Sequence, residues 1–137
     1  MTNDNKKIVH DFYDLAFNQH RPREAARLYI GDQYIQHNPF VPDGVPPFVE
    51  YFEGYFKEYP KSHVVFSHIV AEADLVVLHL NSKLDAQDRG RAVVDIFRVE
   101  NGKIIEHWVH AFLTLKDLTF VRQSAALVEV AASLDQN

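Results

Sequence analysis

Asp95 and His107 are the residues whose types and positions could support chemistry. Each lies in a run of β-branched and aromatic residues that is typical of a strand, AVVDIFRVE at 92–100 and KIIEHWVHAFLTL at 103–115. An ionised carboxylate in such a run is costly unless it is paired, and a neutral imidazole accepts a proton near pH 7. His107 is therefore a candidate base with Asp95 as its orienting group. The alternative is a buried pair with a structural role only.

The hairpin that joins these runs decides whether the two side chains meet. An Asn-Gly dipeptide at 101–102 is a strong hairpin signal. A two-residue loop there would pair Glu100 with Lys103 and would place Asp95 across from Trp108.

A three-residue loop with Gly102 in a left-handed bulge would instead pair Val99 with Lys103 and place Asp95 across from His107. We favour this loop, since a slip by one residue would turn every side chain to the other face. The inward face that it predicts carries Val93, Asp95, Phe97, Ile105, His107 and Val109, and the opposite face brings together Arg98 and Glu106.

The end of the short extended segment at 34–38 supplies further candidates. His37 and Asn38 precede Pro39, and neighbouring side chains of a strand point to opposite faces, so we expect only one of them to face a pocket. The histidine could move a proton there, and the asparagine amide could bind a carbonyl oxygen. Tyr13 in the first helix could present its hydroxyl to the same pocket, or could pack in the core.

A ligand pocket needs an apolar wall and a few polar contacts. The residues that we expect to contact a substrate are His79, Phe12, Phe48, Tyr51, Phe52 and Val109. Without a pocket the aromatic ones are core residues. A lone histidine in an apolar strand, such as His79, is more often a hydrogen-bonded core residue than a ligand.

The histidines also raise the question of a metal site. The imidazoles of His37, His79 and His107 and the carboxylate of Asp95 could converge on one metal ion. No HExxH motif or other close spacing of ligands accompanies them, and they would come from separate strands. We therefore predict no metal, and no cofactor of any other kind.

The apolar pattern predicts an α+β domain whose helices precede most of its strands. Helical spacing recurs in residues 8–17, 22–29 and 47–59, with Pro22 at the start of the second helix and Gly31 just after its end. From His63 the period changes to strands joined by tight turns, which predicts a four-strand antiparallel meander with the helices on one face. A C-terminal helix is expected over 116–137, and the chain 1–137 is predicted to be one domain.

Composition narrows the class of protein. The chain has no cysteine, which excludes disulfides, thiolate zinc sites and cysteine nucleophiles. The formal net charge of −5 argues against nucleic acid and anionic membranes as partners. No stretch has the apolar core of a signal peptide or the length of a transmembrane helix, so we expect a cytoplasmic location. Ten Phe, six Tyr and eight His are enough to build an apolar pocket with polar groups.

The chain resembles the SnoaL-like polyketide cyclase branch of the nuclear transport factor 2 (NTF2) superfamily in three segments, DFYDLAFNQHRPREAARLYIGDQYIQHNP at 11–39, VPDGVPPFVEYF at 41–52 and AVVDIFRVENGKIIEHW at 92–108. The most specific parts are YIQHNP and VDIFRVENGKIIEHW, which are similar to the subgroup of predicted SnoaL-like aldol-condensation enzymes. The resemblance covers residues 6–112 or so, which we take as the core fold.

The resemblance implies a cone-shaped, cystatin-like fold around a pocket, and chemistry on a carbonyl compound without a cofactor. In the related ketosteroid isomerases an aspartate that matches Asp95 donates a hydrogen bond to an enolate oxygen, and an acidic base stands where this chain has Asn38. The SnoaL-like pattern continues EHW with an aspartate that resembles the acid/base of the cyclases. Val109 occupies that position here.

Three functions follow from these observations. The first is an enzyme in which His107, oriented by Asp95, takes a proton next to a carbonyl. Asn38 or Tyr13 would stabilise the enolate oxygen, and the enolate would rearrange or close a ring. The second is a non-catalytic module whose pocket binds a small apolar ligand, which Val109 favours. The third is an interaction domain that uses its outer sheet face. We also expect a homodimer through that face, which carries Val94, Ile96 and Trp108.

Overall fold

The computed structural model describes residues 2–114, which form three α-helices packed on a five-stranded sheet. This confirms the predicted α+β class. The predicted C-terminal helix at 116–137 lies outside the described residues. Within 2–114, no helix is long and apolar enough to cross a membrane.

The helices are α1 at Thr2–Tyr13, α2 at Pro22–Tyr29 and α3 at Val45–Glu58. α1 continues directly into a π-helical turn at Asp14–Asn18. Proline lies in the first turn of both α2 and α3, where the amide proton that it lacks would have no partner within the helix. α3 begins at Val45, slightly before the expected start at 47, because consecutive prolines fit in its first turn.

The sheet contains β1 at Ile30–His37, β2 at His63–Glu72, β3 at Leu75–Lys83, β4 at Arg91–Glu100 and β5 at Lys103–Thr114, in the order β1-β5-β4-β3-β2. β2 to β5 form the predicted antiparallel meander, but β1 pairs parallel to β5. The expectation of an antiparallel sheet is wrong for this edge. β1 is linked to the rest of the sheet through α3, so no tight turn sets its direction.

The sequence analysis predicted that Gly31 ends α2, but the structure places this glycine in β1. α2 ends at Tyr29, Ile30 is already extended with φ −91° and ψ 138°, and Gly31 belongs to β1. A Cβ atom at Gly31 would lie 3.3 Å from side-chain atoms of both Lys103 and Ile105. The glycine therefore allows β1 to approach β5 closely, and it has no part in ending the helix.

The β4–β5 hairpin has the two-residue loop, so the favoured three-residue loop is wrong. Glu100 pairs with Lys103, and Asn101 and Gly102 have φ angles of 51° and 76°. Positive φ at both central residues is the requirement of a type I′ turn, whose twist matches that of the two strands.

A β-bulge follows this turn in β5. Val99 pairs with Ile104 and Arg98 pairs with Glu106, which leaves Ile105 as the extra residue. Arg98 Nε donates to Glu106 Oε1 at 3.0 Å, the contact that we expected on the face opposite Asp95.

Beyond the bulge, the side chains face the sides that the three-residue loop would have produced, because the bulge adds one residue to β5. Asp95 pairs with Val109 and Phe97 pairs with His107, so the predicted opposition of Asp95 and His107 is displaced by two residues. Their side chains still share the face toward the helices, as predicted, and are diagonal neighbours. We call this the inner face of the sheet, and the opposite one the outer face.

The core lies between the inner face and the helices. Alternate residues of β4 are buried there, and the residues between them are only partly buried. From the helices, Phe12 of α1 and Phe48 of α3 pack against each other with ring centroids 5.7 Å apart. Most inner-face residues of the strands are apolar, and the polar exceptions lie around one cavity.

Candidate active site

A cavity of about 420 Å³ lies between the inner face of the sheet and the helices. Its wall is largely aromatic. It contains the four predicted wall residues Phe12, Phe48, Tyr51 and Phe52, together with Phe17, Tyr55 and Phe97. The rings pack edge-on or tilted against one another, as aromatic pairs prefer. Such a wall suits a small and mostly apolar ligand.

Asp95 is the buried acidic group of this cavity, with 1% of its surface exposed. Its Oδ1 lies 2.7 Å from His107 Nε2, and its Oδ2 accepts a hydrogen bond of 2.7 Å from the Tyr13 hydroxyl. The predicted contact of Asp95 with His107 is therefore present. Tyr13 comes from α1 and His107 from β5, so the carboxylate links the helical layer to the sheet.

His107 has a second partner, which the sequence analysis missed. Its Nδ1 lies 2.7 Å from Gln36 Oε1, and Gln36 Nε2 donates to the Tyr34 hydroxyl at 3.2 Å. Gln36 and His107 are neighbours in the parallel β1–β5 register. The alternation of strand side chains already places Tyr34, Gln36 and Asn38 on one face, and that was the available signal.

The two buried tyrosines are hydroxyl groups at neutral pH. Burial raises the pKa of Tyr13 well above 10, and the nearby charge of Asp95 and the hydrogen bond to it raise it further. Burial likewise raises the pKa of Tyr34, with a smaller contribution from Asp95. Tyr13 therefore keeps its proton and donates a hydrogen bond to Asp95. This makes Tyr13 a positioning residue for the carboxylate.

The Gln36 amide decides which proton state of His107 fits the site. With Gln36 Oε1 at Nδ1 and Asp95 Oδ1 at Nε2, both ring nitrogens face an acceptor, an arrangement that suits an imidazole with a proton on each nitrogen. A half-turn of the amide would bring its NH₂ group to Nδ1 and would suit a neutral imidazole. The Tyr34 hydroxyl can donate as well as accept, so it serves both orientations. Nδ1 of His107 can thus give or take a proton on the cavity side.

Of the two candidates at the end of β1, Asn38 lines the cavity and His37 does not. Asn38 Oδ1 accepts a hydrogen bond of 2.9 Å from the Phe40 backbone, which leaves the amide nitrogen to donate. His37 lies on the outer face, with Nε2 2.8 Å from Glu106 Oε2 and its ring stacked on Trp108. The expectation of a catalytic His37 is wrong, because strand alternation directs it away from Asn38.

His79, a predicted substrate contact, likewise does not line the cavity. Its Nδ1 lies 3.0 Å from Nδ1 of His68 on β2, and the rings are stacked, away from the cavity wall. With His37 and His79 on the outer face and Asp95 and His107 on the inner face, the four possible ligands do not converge. Residues 2–114 contain no cluster of three or more His, Asp or Glu side chains arranged to hold a metal ion.

Val109 lines the cavity, as expected of a substrate contact, and it is the cross-strand partner of Asp95. The position where the SnoaL-like pattern has an aspartate is therefore beside the buried carboxylate. A second carboxylate there would repel Asp95 or share a proton with it. An apolar Val109 leaves Asp95 as the acidic group next to His107.

The other end of the cavity carries polar residues that the sequence analysis did not single out. Ser82 of β3 and Arg91 of β4 are direct cross-strand partners, and both line the cavity together with Tyr55 of α3. The signal that could have found Arg91 is its spacing from Asp95, since residues an even number apart on a strand share a face.

An α+β fold with helices over one sheet face, a largely aromatic cavity and a buried polar group inside it defines a class of small pocket proteins. The sequence profile of the SnoaL-like domain matches residues 9–107, which is most of the chain. The chain belongs to the SnoaL-like domain family. No curated protein sequence matches it.

Solved structures share this fold at low sequence identity. A candidate SnoaL-like polyketide cyclase from Jannaschia sp. CCS1 is 20% identical with a TM-score of 0.68, over 89% of this chain and 91% of that one. A SnoaL-like protein of unknown function from Burkholderia thailandensis E264 is 16% identical with a TM-score of 0.67, over 81% and 97%. AclR from Streptomyces galilaeus, a candidate hydroxylase, is 17% identical with a TM-score of 0.65, over 82% and 81%.

Tyr13→Phe should destabilise the protein, because Oδ2 of the buried Asp95 would lose its donor. We expect the free energy of unfolding to fall by about 1–3 kcal/mol, measured by urea denaturation followed by circular dichroism. The matched control is Tyr51→Phe, which removes the hydroxyl of a cavity residue that is 46% exposed. Its effect should stay within about 0.5 kcal/mol. Equal losses in the two variants would show that the Tyr13–Asp95 bond has no special weight.

Proposed function

We propose that this protein is an enzyme that removes a proton next to the carbonyl group of a small compound and stabilises the resulting enolate. The observation that carries the proposal is the hydrogen-bonded chain Tyr13–Asp95–His107–Gln36 at the wall of an aromatic cavity. A carboxylate and an imidazole in hydrogen-bond contact are groups that carry out general acid–base catalysis. The likeness to a candidate polyketide cyclase supports the same class of chemistry.

Proton abstraction would use the cavity side of His107. Nε2–H donates to Asp95 Oδ1, and Nδ1 takes a proton from the carbon next to the substrate carbonyl once the Gln36 amide has turned away. The C–H electron pair becomes the enolate double bond, and the negative charge moves to the carbonyl oxygen. The amide nitrogen of Asn38 is the donor that we assign to this oxygen.

The enolate then has two outcomes, which differ in where the proton of His107 goes. In an isomerisation, Nδ1–H returns the proton to another carbon of the conjugated system. In an aldol-type cyclisation, the enolate carbon attacks a second carbonyl carbon, a C–C bond forms, and Nδ1–H protonates the new alkoxide. Both leave His107 neutral and ready for another cycle, and neither needs a cofactor.

A second candidate function is ligand binding without catalysis. Two observations favour it. Val109 replaces the carboxylate of the SnoaL-like pattern, and both ring nitrogens of His107 and both oxygens of Asp95 have protein partners already. In this reading the hydrogen-bonded chain stabilises the fold, and the aromatic wall alone binds a small apolar molecule.

His107→Ala separates the two functions. Wild-type protein should catalyse exchange of the protons next to the carbonyl of 2-tetralone or acetophenone in deuterium oxide, followed by NMR. The variant should lose this exchange by about 10²–10⁴-fold, the usual contribution of a general base, while still binding the ketone. The matched control is His79→Ala on the outer face, which should exchange as fast as wild type. Wild-type protein that binds such ketones without exchanging them would contradict the enzyme proposal.

Val109→Asp tests whether the missing carboxylate limits the activity. It places an acidic group on the cavity wall beside Asp95, where a single proton shared by the two would ease their repulsion. We expect it to raise the exchange rate of weakly acidic ketones such as acetophenone, and to lower the melting temperature because a carboxylate is desolvated. A folded Val109→Asp protein that exchanges no faster than wild type would show that Asp95 and His107 already supply the acid/base chemistry.

Association into a homodimer through the outer sheet face, and a cytoplasmic location, stay predictions. Trp108 stacks on His37 with ring centroids 4.8 Å apart and lies 5.7 Å from the Arg98 guanidinium, so this face combines aromatic and charged groups. Size-exclusion chromatography with light scattering at micromolar concentration should give the mass of a dimer. A monomer mass throughout that range would contradict the dimer and the interaction-domain reading that uses the same face.

A further inference from the structure

We propose that the mouth of the cavity is a carboxylate-binding subsite built by Arg91, Ser82 and Tyr55. The ligand is then an elongated keto acid, with its carbonyl group at His107 and its carboxylate at Arg91. This inference rests on the proposed function for the carbonyl end only. The subsite itself depends on the geometry of the mouth.

Two hydroxyl groups, of Ser82 and Tyr55, and the guanidinium of Arg91 line this end of the cavity. Ser82 and Arg91 are direct partners on β3 and β4, which brings their Cβ atoms to about 4.5–5.5 Å. Tyr55 reaches the same point from α3. Burial raises the pKa of Tyr55, while a hydrogen bond with Ser82 and the Arg91 charge act to lower it.

Arg91 has no carboxylate partner within 4 Å among residues 2–114, in contrast to Arg98, which pairs with Asp74 and Glu106. The two oxygens of Asp88 accept hydrogen bonds from the backbone at Leu84 and Gly90, which lower the pKa of Asp88 most, and the Arg91 charge lowers it further. Arg91 is also the one Lys or Arg side chain of the described cavity wall. A guanidinium that lines an apolar cavity without a partner is ready to bind an anion.

A carboxylate fits this cluster better than a phosphate does. The planar guanidinium binds the two oxygens of a carboxylate side by side, and the hydroxyls of Ser82 and Tyr55 can donate to the same oxygens. One arginine neutralises a single negative charge. Among residues 2–114, no second Lys or Arg side chain lines the cavity to match the second charge of a phosphate.

The spacing of the two polar ends sets the length of the ligand. Arg91 and Asp95 are four residues apart on one face of β4, so their Cα atoms are about 13 Å apart. Val93 lies between them, and the facing wall includes Phe48 and Phe52. The carbonyl and the carboxylate of the ligand are thus separated by several carbon atoms of apolar character. A short 2-oxo acid cannot reach both ends.

Binding of a homologous series of keto acids tests the subsite. The probes are 3-benzoylpropionate, 4-benzoylbutyrate and 5-benzoylpentanoate with their methyl esters, titrated into the protein by isothermal calorimetry. We expect the longer acids to bind about tenfold or more tightly than their esters, because a charge-assisted hydrogen bond is lost in the ester. The difference should shrink as salt is raised from about 0.05 to 0.5 M, since the mouth is open to solvent.

Arg91→Gln should remove the preference for the acid and leave the affinity for the esters unchanged. The matched control is Arg89→Gln, which makes the same charge change two residues away at a side chain outside the cavity wall and should keep the preference. Retained preference in Arg91→Gln, or wild-type protein that binds no acid more tightly than its ester, would overturn the proposal. Tighter binding of the matching phosphonate than of the carboxylate would overturn the assignment of a carboxylate.

Proton exchange measured on the same samples separates this inference from the proposed function. Acid preference without any exchange would contradict the enzyme and would leave the subsite supported. Exchange of the benzoyl compounds without acid preference would contradict the subsite and would leave the enzyme supported.

Discussion

The buried carboxylate of Asp95 is the constraint on which the rest of the structure depends. A desolvated charge costs several kcal/mol unless it is paired, so the fold must deliver partners to both of its oxygens. Tyr13 comes from the helical layer and His107 from the neighbouring strand, and each contact is 2.7 Å long. The same two bonds hold α1 against the sheet and orient the imidazole toward the cavity. Stability and the proposed chemistry therefore rest on one group of atoms.

The cavity has two polar ends and an aromatic body, and both layers of the fold contribute to it. The strands supply most of the polar groups, because alternate residues of β1, β3, β4 and β5 face inward, and α1 and α3 add the hydroxyls of Tyr13 and Tyr55. The helices supply the rings, and the π-helical turn after α1 adds Phe17, whose ring meets Phe52 edge-on at 4.8 Å. Such turns are frequent at functional sites, where the extra residue re-aims a side chain. The wall sets the size of the ligand, and the polar ends set its orientation.

Membership of the SnoaL-like domain family gives the frame of the site, but the chemistry of this chain depends on its own residues. Val109 removes the acidic group that the family pattern suggests, while Asp95 and His107 remain in hydrogen-bond contact beside it. Gln36 can match either proton state of the His107 imidazole, because its amide offers an acceptor in one orientation and a donor in the other. A carboxylate in its place could only accept. The proposed proton transfer thus centres on a histidine held between a carboxylate and an amide.

The sequence by itself determined the helices and the meander from β2 to β5, because periodicity reports which residues lie on one side of an element. The shared face of Asp95 and His107 was predicted with the wrong loop, and it depends on the bulge. The sequence also predicted the aromatic wall, and the pairing of Arg98 with Glu106. Only the tertiary structure decided the parallel direction of β1, which brings Gln36 to His107 and turns His37 outward, and the cross-strand pairing of Ser82 with Arg91. The position of the bulge at Ile105 was likewise decided only by the tertiary structure. Periodicity carries no information on which strands become neighbours or where a residue is inserted in a ladder, since packing between layers decides both.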